Sequence, residues 1–563
     1  MDSTDDASWQ KLAAAKREAI LDSIPAKWRL ANIPTVDEQR NVTGAYIEQF
    51  LSPKEVEITQ ADSVGIVEKT TSGAWSAVEV AEAFCHRASL GHQLVNCLHE
   101  AFFDAALADA KELDAWYAEH GKPKGPLHGL PVSLKDQFHV RGVDTTMGYV
   151  GWIDSFQGQK GDPRSKTFES EMVRELRALG AVLYCKTAVP TTLMCGETVN
   201  NIIGYTWNPT NRHLSCGGSS GGEGALIALG GSPGGFGTDI GGSIRIPSAF
   251  NGLFGLRPTS GRLPYEGMAN SMDGQNSVLS VVGPLASSAG GVKLLTKSIL
   301  SAEPWLHDPL VAEIPWRADL EAQTKDRIAS SQLNVGFLDH DGAVAPHPPL
   351  KRALSLLRDV VARSGNKAFD WQPPASSHEA VTALLIKTWN YDGGADVRKD
   401  FALSGEPWAP PLLDVWKERP PADGAGIAET NRALRARRKE YLDYWNGTGG
   451  GDVFVAPCAP FAAARPGRFD YIGYTSFVNG LDLPSVVVPV TTVDKGVDVV
   501  DAGYRPVSEL DKKIQSDLKS TDDPEIYDGA PVSLQIVGRR YQEEKLLAIA
   551  EWLEGELKKA SVS

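Results

Sequence analysis

Residues 216–264 form one continuous glycine- and serine-rich block, CGGSSGGEGALIALGGSPGGFGTDIGGSIRIPSAFNGLFGLRPTSGRLP. No other stretch constrains the fold as strongly. Glycine is used where backbone must take positive φ or come close to another group. Glycines around Ser219, Ser220 and Ser243 can present backbone N–H groups to an anion while a hydroxyl stays exposed, as acyl transfer requires. Content excludes a flexible Gly/Ser tether. Residues 225–229 are apolar and suited to a helix, and Ile240, Ile244, Ile246, Phe250, Leu253, Phe254 and Leu256 would be wasted in a solvated linker. The spacing G-x-S-x-G also occurs around Ser219 and Ser232, but a nucleophile elbow needs a buried strand just upstream. A polar, turn-rich run (208–213) precedes Ser219, and the helical stretch 225–229 precedes Ser232.

A serine hydroxyl is a poor nucleophile until a base takes its proton. The chain has 11 His, none in a recognisable motif near these serines, and His213 lies in the polar turn before Ser219. Lys135 follows LPVSL (130–134), which reads as a short buried strand. Desolvation at the end of such a strand disfavours the charged amine and leaves a neutral general base. The residues alone leave a second reading open, a solvated Lys135 paired with Asp136.

The segments GGSSGGEGALI and GTDIGGSIRIPSAFNGLFGLRPT, with GPLHGLPVSLKD (125–136) upstream and DVFVAPCAP (452–460) and GAPVSLQIVGRR (529–540) downstream, resemble the amidase signature family of Ser–Ser–Lys hydrolases. Within that family, SLKDQFHVRGVDTTMGY, GETVNNIIG, WNPTNRHLSCGGSSGGEG, GRLPYEGMANSMDGQ and SWQKLAAAKREAI are similar to the fungal acetamidases. The resemblance covers nearly the whole chain and is weakest over 374–451.

The resemblance implies that Ser243 is the nucleophile, that Ser219 bridges it to Lys135, and that the Gly218–Ser219 peptide bond is cis. The N–H groups of Ile240, Gly241, Gly242 and Ser243 are expected to form the oxyanion hole, each such donor being worth about 3 kcal/mol in the transition state. Ser220 is expected to hydrogen-bond near the lysine amine, and Thr238 to orient the site. Asp239 and Arg245 are expected to brace the nucleophile loop as a buried pair, and Met194 and Cys195 to wall the pocket. The implied fold is a single α/β domain, a large mixed twisted β-sheet sandwiched by α-helices. A helical arm (1–60) precedes the catalytic domain (61–563), whose signature core spans about 125–265. A homodimer is implied as well, with Trp9 and Trp28 offered as contacts.

Composition excludes other classes. A net charge of −15 argues against nucleic acid or an anionic membrane surface as a partner. No apolar run reaches the roughly 18 residues of a membrane span. The acidic start, MDSTDDASWQ, lacks a signal-peptide pattern, and six scattered cysteines suit a reducing cytosol, so a cytoplasmic location is expected. The cysteines form no CxxC pair and there is no HExxH, GxxxxGK[ST] or strand-borne GxGxxG, so neither metal nor cofactor is expected. Cys216 reads as a small buried filler.

Local patterning predicts a helix carrying Trp9, Leu12, Ile20 and Ile24 that stops at Pro25, and one over 76–88 opened by a Ser76–Glu79 capping box. Further helices are expected over 101–120 and 349–364, and strands over 130–134, 182–186, 333–338, 453–455 and 486–490. Residues 374–451 read as helical and charged, with RALRARRKEYLDYW as a solvated face, and 491–528 as a polar insertion. Three functions follow: an amidase for small aliphatic amides; the same mechanism on carbamates, anilides, esters or fatty-acid amides; or an amidotransferase subunit or inert scaffold. The presence of Lys135, Ser219 and Ser243 together argues against the scaffold.

Overall fold

The computed structural model describes residues 6–374, 377–409, 412, 415–499, 501, 503–519 and 526–562. Its centre is one mixed sheet of 11 strands. In chain order the strands are β1 (Leu98–Ala101), β2 (Pro131–Lys135), β3 (Val182–Thr187), a small separate hairpin of β4 (Val199–Asn200) and β5 (Gly204–Tyr205), then β6 (Gly234–Asp239), β7 (Phe254–Arg257), β8 (Val281–Ala286), β9 (Asn334–Phe337), β10 (Lys367–Asp370), β11 (Val453–Pro457), β12 (Ser485–Thr492) and β13 (Pro531–Val537). Across the sheet they run β1-β3-β2-β6-β8-β7-β12-β13-β11-β9-β10. Parallel pairing joins β3, β2 and β6, and also β11, β9 and β10; the remaining pairs are antiparallel.

Strands β2, β3, β6, β8 and β11 are buried from end to end, as strands covered on both faces must be. One hydrophobic cluster gathers Val132, Leu134, Leu183 and Phe236 with Phe84, Leu176 and Leu295 from flanking helices. A second gathers Val335, Val455, Val487 and Leu534 with the helices Pro348–Arg363 and Glu543–Val562. The expected single α/β sheet with helical layers is what the chain forms. Among the described residues no helix is long and apolar enough to cross a membrane.

Several local expectations shift. The helix Ala77–Val95 runs past residue 88 and stops where Asn96 turns left-handed at φ 57°. Its Ser76 hydroxyl accepts the Glu79 N–H at 3.0 Å, but the Glu79 carboxylate turns toward Lys54 instead of closing the box. The first helix, Asp6–Asp22, buries Ala13 and Ile20 and leaves Leu12 outside. Lys16 on this helix pairs with Glu100 and Asp144. Trp28, offered by the sequence as a surface contact, is 6% exposed and stacks on His86 within the same chain. Region 374–451 contains helices Ser377–Thr388, Ala395–Ala402 and Gly424–Gly447. The RALRARRKEYLDYW run is solvated on one face only, because Leu434, Tyr441 and Trp445 turn inward.

The parallel pairing of β2 with β6 places Gly235 opposite Ser133. A Cβ at Gly235 would stand 2.1 Å from Glu223 Oε2 and 2.3 Å from Ser133 Oγ. Gly235→Ala is therefore expected to destabilise the fold by about 1–3 kcal/mol, the usual cost of overpacking a core. Urea unfolding checks this, and an unchanged midpoint would contradict so close an approach of strand and helix.

Candidate active site

Side chains alternate along β2. Val132 and Leu134 enter the hydrophobic cluster, while Ser133 and Lys135 face the other way. Lys135 is fully buried, and its Nζ donates to Ser219 Oγ at 2.8 Å and Thr238 Oγ1 at 2.7 Å. No carboxylate pairs with it among the described residues. Asp136 instead pairs with the equally buried Lys186 at 2.7 Å, so the alternative of a Lys135–Asp136 surface pair is overturned. Burial pushes the Lys135 amine down to about 7, against the opposing pull of Asp239 and Glu223.

Ser219 and Ser220 lead into the helix Gly221–Ala228, and Ser243 lies on the loop between β6 and the helix Arg245–Phe250. The Gly218–Ser219 bond is cis, as the resemblance implies. The Ser220 N–H donates to the Ser243 carbonyl at 3.1 Å and ties the two serine loops together. Ser243 is half-buried, and its hydroxyl makes no hydrogen bond among the described residues. Ser219 and Ser243 open onto one cavity. The link from Lys135 to Ser219 is thus formed, whereas that from Ser219 to Ser243 is not drawn tight.

Asp239 organises the loop. Its carboxylate accepts the N–H groups of Gly242 (2.8 Å) and Ile244 (3.2 Å), two donors from Arg245 (3.0 and 3.1 Å) and the Asn479 amide (2.8 Å). Burial opposes its ionisation, but Arg245, Arg257 and Asn479 outweigh burial and hold the carboxyl well below the usual range. Arg245 also donates to the Thr475 carbonyl, Gln535 Oε1 and Asn479 Oδ1. The expected buried brace is present. The expected set of four oxyanion donors is not, because the Gly242 N–H is spent on Asp239. The N–H groups of Ile240, Gly241 and Ser243 carry no partner among the described residues. Ser220 hydrogen-bonds beside the lysine amine without touching it, since Thr238 holds the amine and the Ser220 hydroxyl accepts the Thr238 N–H at 3.3 Å.

The Amidase family model matches residues 79–547. This chain belongs to the amidase family. It is 45% identical over 558 residues to the acetamidase of Aspergillus oryzae, covering 97% of this chain and 98% of that one. It is 44% identical over 550 residues to the acetamidase of Emericella nidulans, covering 97% of each. Its fold superposes on a fatty acid amide hydrolase with a TM-score of 0.89 at 33% identity, covering 98% of this chain and 95% of the other. As an amidase it is an amide-hydrolysing enzyme.

The cavity of this amidase over Ser243 measures about 190 Å³ and is lined by Ser219, Thr238, Gln137, Ile240, Met194 and Trp389. Met194 and Cys195, expected as pocket walls, line a small cavity of about 40 Å³ with Ser243 and also a larger neighbouring cavity of about 970 Å³, which shares Met194 and Trp389 with the first. Cys216 is buried, its thiol donating to the Thr206 carbonyl, so the filler reading stands. Residues that sequence reasoning missed include Glu223, whose carboxylate accepts from Ser133 (2.6 Å) and Thr187 (2.8 Å) and is pushed up to about 7 by burial. Gln137, Asn479 and Gln535 were missed as well. The signal for Gln535 lay in GAPVSLQIVGRR, a polar residue inside an apolar strand.

Removing one member of a buried ion pair strands the other, at a cost of about 3–5 kcal/mol. Arg245→Met should therefore lower thermal stability markedly and abolish amide hydrolysis. A variant with wild-type unfolding temperature and activity would contradict the brace.

Proposed function

We propose that this amidase hydrolyses small aliphatic amides to acid and ammonia, with Ser243 as nucleophile, Ser219 as proton bridge and Lys135 as base. The buried Lys135 amine, in contact with Ser219 and lacking a carboxylate partner, is the observation that carries the reading. The Ser243 Oγ attacks the amide carbon, and the carbonyl electrons move to oxygen. The Ser243 proton passes to Ser219 as Ser219 gives its own to the Lys135 amine. The oxyanion is met by the N–H groups of Ile240, Gly241 and Ser243. Gly242 shapes that loop through Asp239 rather than donating. The tetrahedral intermediate collapses, the C–N bond breaks, Ser219 protonates the leaving nitrogen, and Lys135 returns a proton to Ser219. Water then enters in place of ammonia, and the same relay frees the acid.

Two observations favour a small acyl group. The chain is similar to two acetamidases along their whole lengths. The cavity at Ser243, about 190 Å³, falls below the ~300–1,000 Å³ usual for drug-sized ligands. The larger cavity that shares Met194 and Trp389 with the first supports a second reading, turnover of longer acyl chains. A homodimer, from the family resemblance, and a cytoplasmic location, in keeping with six scattered cysteines, complete the proposal.

Ammonia release from acetamide, hexanamide, benzamide, ethyl carbamate and a long-chain fatty amide tests the substrate class. Acetamide should lead, and a profile led by the fatty amide would favour the second reading. Ser243→Ala should lose about 10³-fold or more of kcat with its fold intact; activity near wild type would refute the nucleophile. Because the amine must be neutral to accept a proton, kcat/KM should fall as pH drops through about 7 and level off above it. A profile flat through that window would exclude lysine as the base.

A further inference from the structure

Beyond Thr238 the hydrogen bonds continue, and their direction can be deduced. Thr238 Oγ1 lies 2.8 Å from Gln137 Oε1. Gln137 Nε2 donates to the Ala269 carbonyl at 2.7 Å, to Asn270 Oδ1 at 3.0 Å and to the Tyr265 hydroxyl at 2.9 Å. A backbone carbonyl can only accept, so the amide must turn its NH₂ end toward Ala269 and its oxygen toward Thr238. That oxygen can only accept, so the Thr238 hydroxyl must donate to it. Thr238 then has only lone pairs to offer Lys135 and must accept an N–H from it. The order runs from the Ala269 carbonyl back to the lysine. Gln137 is 1% exposed and Thr238 3%, so both side chains are buried and their polar atoms face one another at the edge of the Ser243 cavity.

We propose that Gln137 is a positioning residue that sets the proton order of this chain and so keeps the lone pair of neutral Lys135 turned toward Ser219. A neutral amine has two N–H bonds and one lone pair. With one N–H fixed on Thr238, the lone pair is free to take the Ser219 proton. Without Gln137, the Thr238 hydroxyl can rotate and donate to the amine, occupying the lone pair that Ser219 needs. The proposal rests on the Lys135–Ser219–Ser243 relay. Failure of the relay would show as an active Ser243→Ala enzyme or as a wild-type pH profile flat through about 7, whereas failure of this proposal shows only in the variants below.

The charged groups facing the amine are Asp239 from β6 and Glu223 from the helix Gly221–Ala228, while Asp136 and Lys186 pair with each other. None of them changes in Gln137→Met. A hydrogen bond donated to the neutral amine stabilises the neutral form, so in Gln137→Met the rising limb of kcat/KM should move to lower pH. Turnover should fall about tenfold with KM little changed. The double variant Gln137→Met/Thr238→Val has no hydroxyl to occupy the lone pair and should recover at least about threefold of the lost kcat, a non-additive rescue. Steady-state kinetics across pH, with thermal unfolding of each variant to match folded fractions, reads all of this. The proposal is overturned if Gln137→Met keeps wild-type kcat. It is overturned equally if the limb stays put or moves to higher pH, as admitted water would cause, or if the double variant is no better than the single.

Discussion

A fully buried lysine amine with no carboxylate partner among the described residues is the constraint on which the rest of this site depends. A buried ammonium without a partner costs several kcal/mol, and the usual escape is to lose the proton. The surroundings of Lys135 suit that escape. Its contacts, Ser219 and Thr238, are hydroxyls, which serve either protonation state. The nearby carboxylates are occupied elsewhere, Asp239 by Arg245 and the loop amides, Glu223 by Ser133 and Thr187. The amine is thereby left as a base rather than as half of a salt bridge.

The second requirement is that the two serine loops hold still beside that amine. Lys135 comes from β2, Thr238 and Asp239 from β6, Ser219 and Ser220 from the turn before the helix Gly221–Ala228, and Ser243 from the loop after β6. The Arg245 brace reaches Thr475 and Asn479 on one helix and Gln535 on β13. Gln535 in turn donates to the carbonyls of Pro457 and Tyr474. Segments nearly 300 residues apart therefore meet at one guanidinium, which ties the nucleophile loop to the far part of the sheet. The close approach of the helix Gly221–Ala228 to β6 is allowed because Gly235 and Gly237 leave room for Glu223 and Ser220.

Much of this was legible in the chain itself. The glycine block announces close backbone approach, and LPVSLK reads as a strand that delivers a lysine to its end. The sheet-rich architecture and the Asp239–Arg245 pair also follow from the sequence and its family resemblance. What was not legible depends on partners far away in sequence. A glycine N–H looks the same whether it faces a substrate or a carboxylate, so Gly242 was counted as a donor although Asp239 takes it. Ser220 and Thr238 both carry hydroxyls near the block, and only the strand register of β6 decides that Thr238 meets the lysine. Trp28 looked like a surface contact because nothing local reveals His86 stacked beneath it. Gln137 follows the lysine by two residues without any motif, and its role emerges only once Ala269 is seen to fix its amide.

The central claim is that Lys135 loses its proton near neutrality, and the most direct measurement observes that proton. Protein labelled with ¹³C at the lysine ε-carbons, titrated by NMR beside Lys135→Met, would isolate the one signal that the substitution removes. A midpoint near pH 7 for that signal is the expected result. A midpoint close to 10.5, with the other lysines, would mean that the amine stays charged through the working range and would contradict the account.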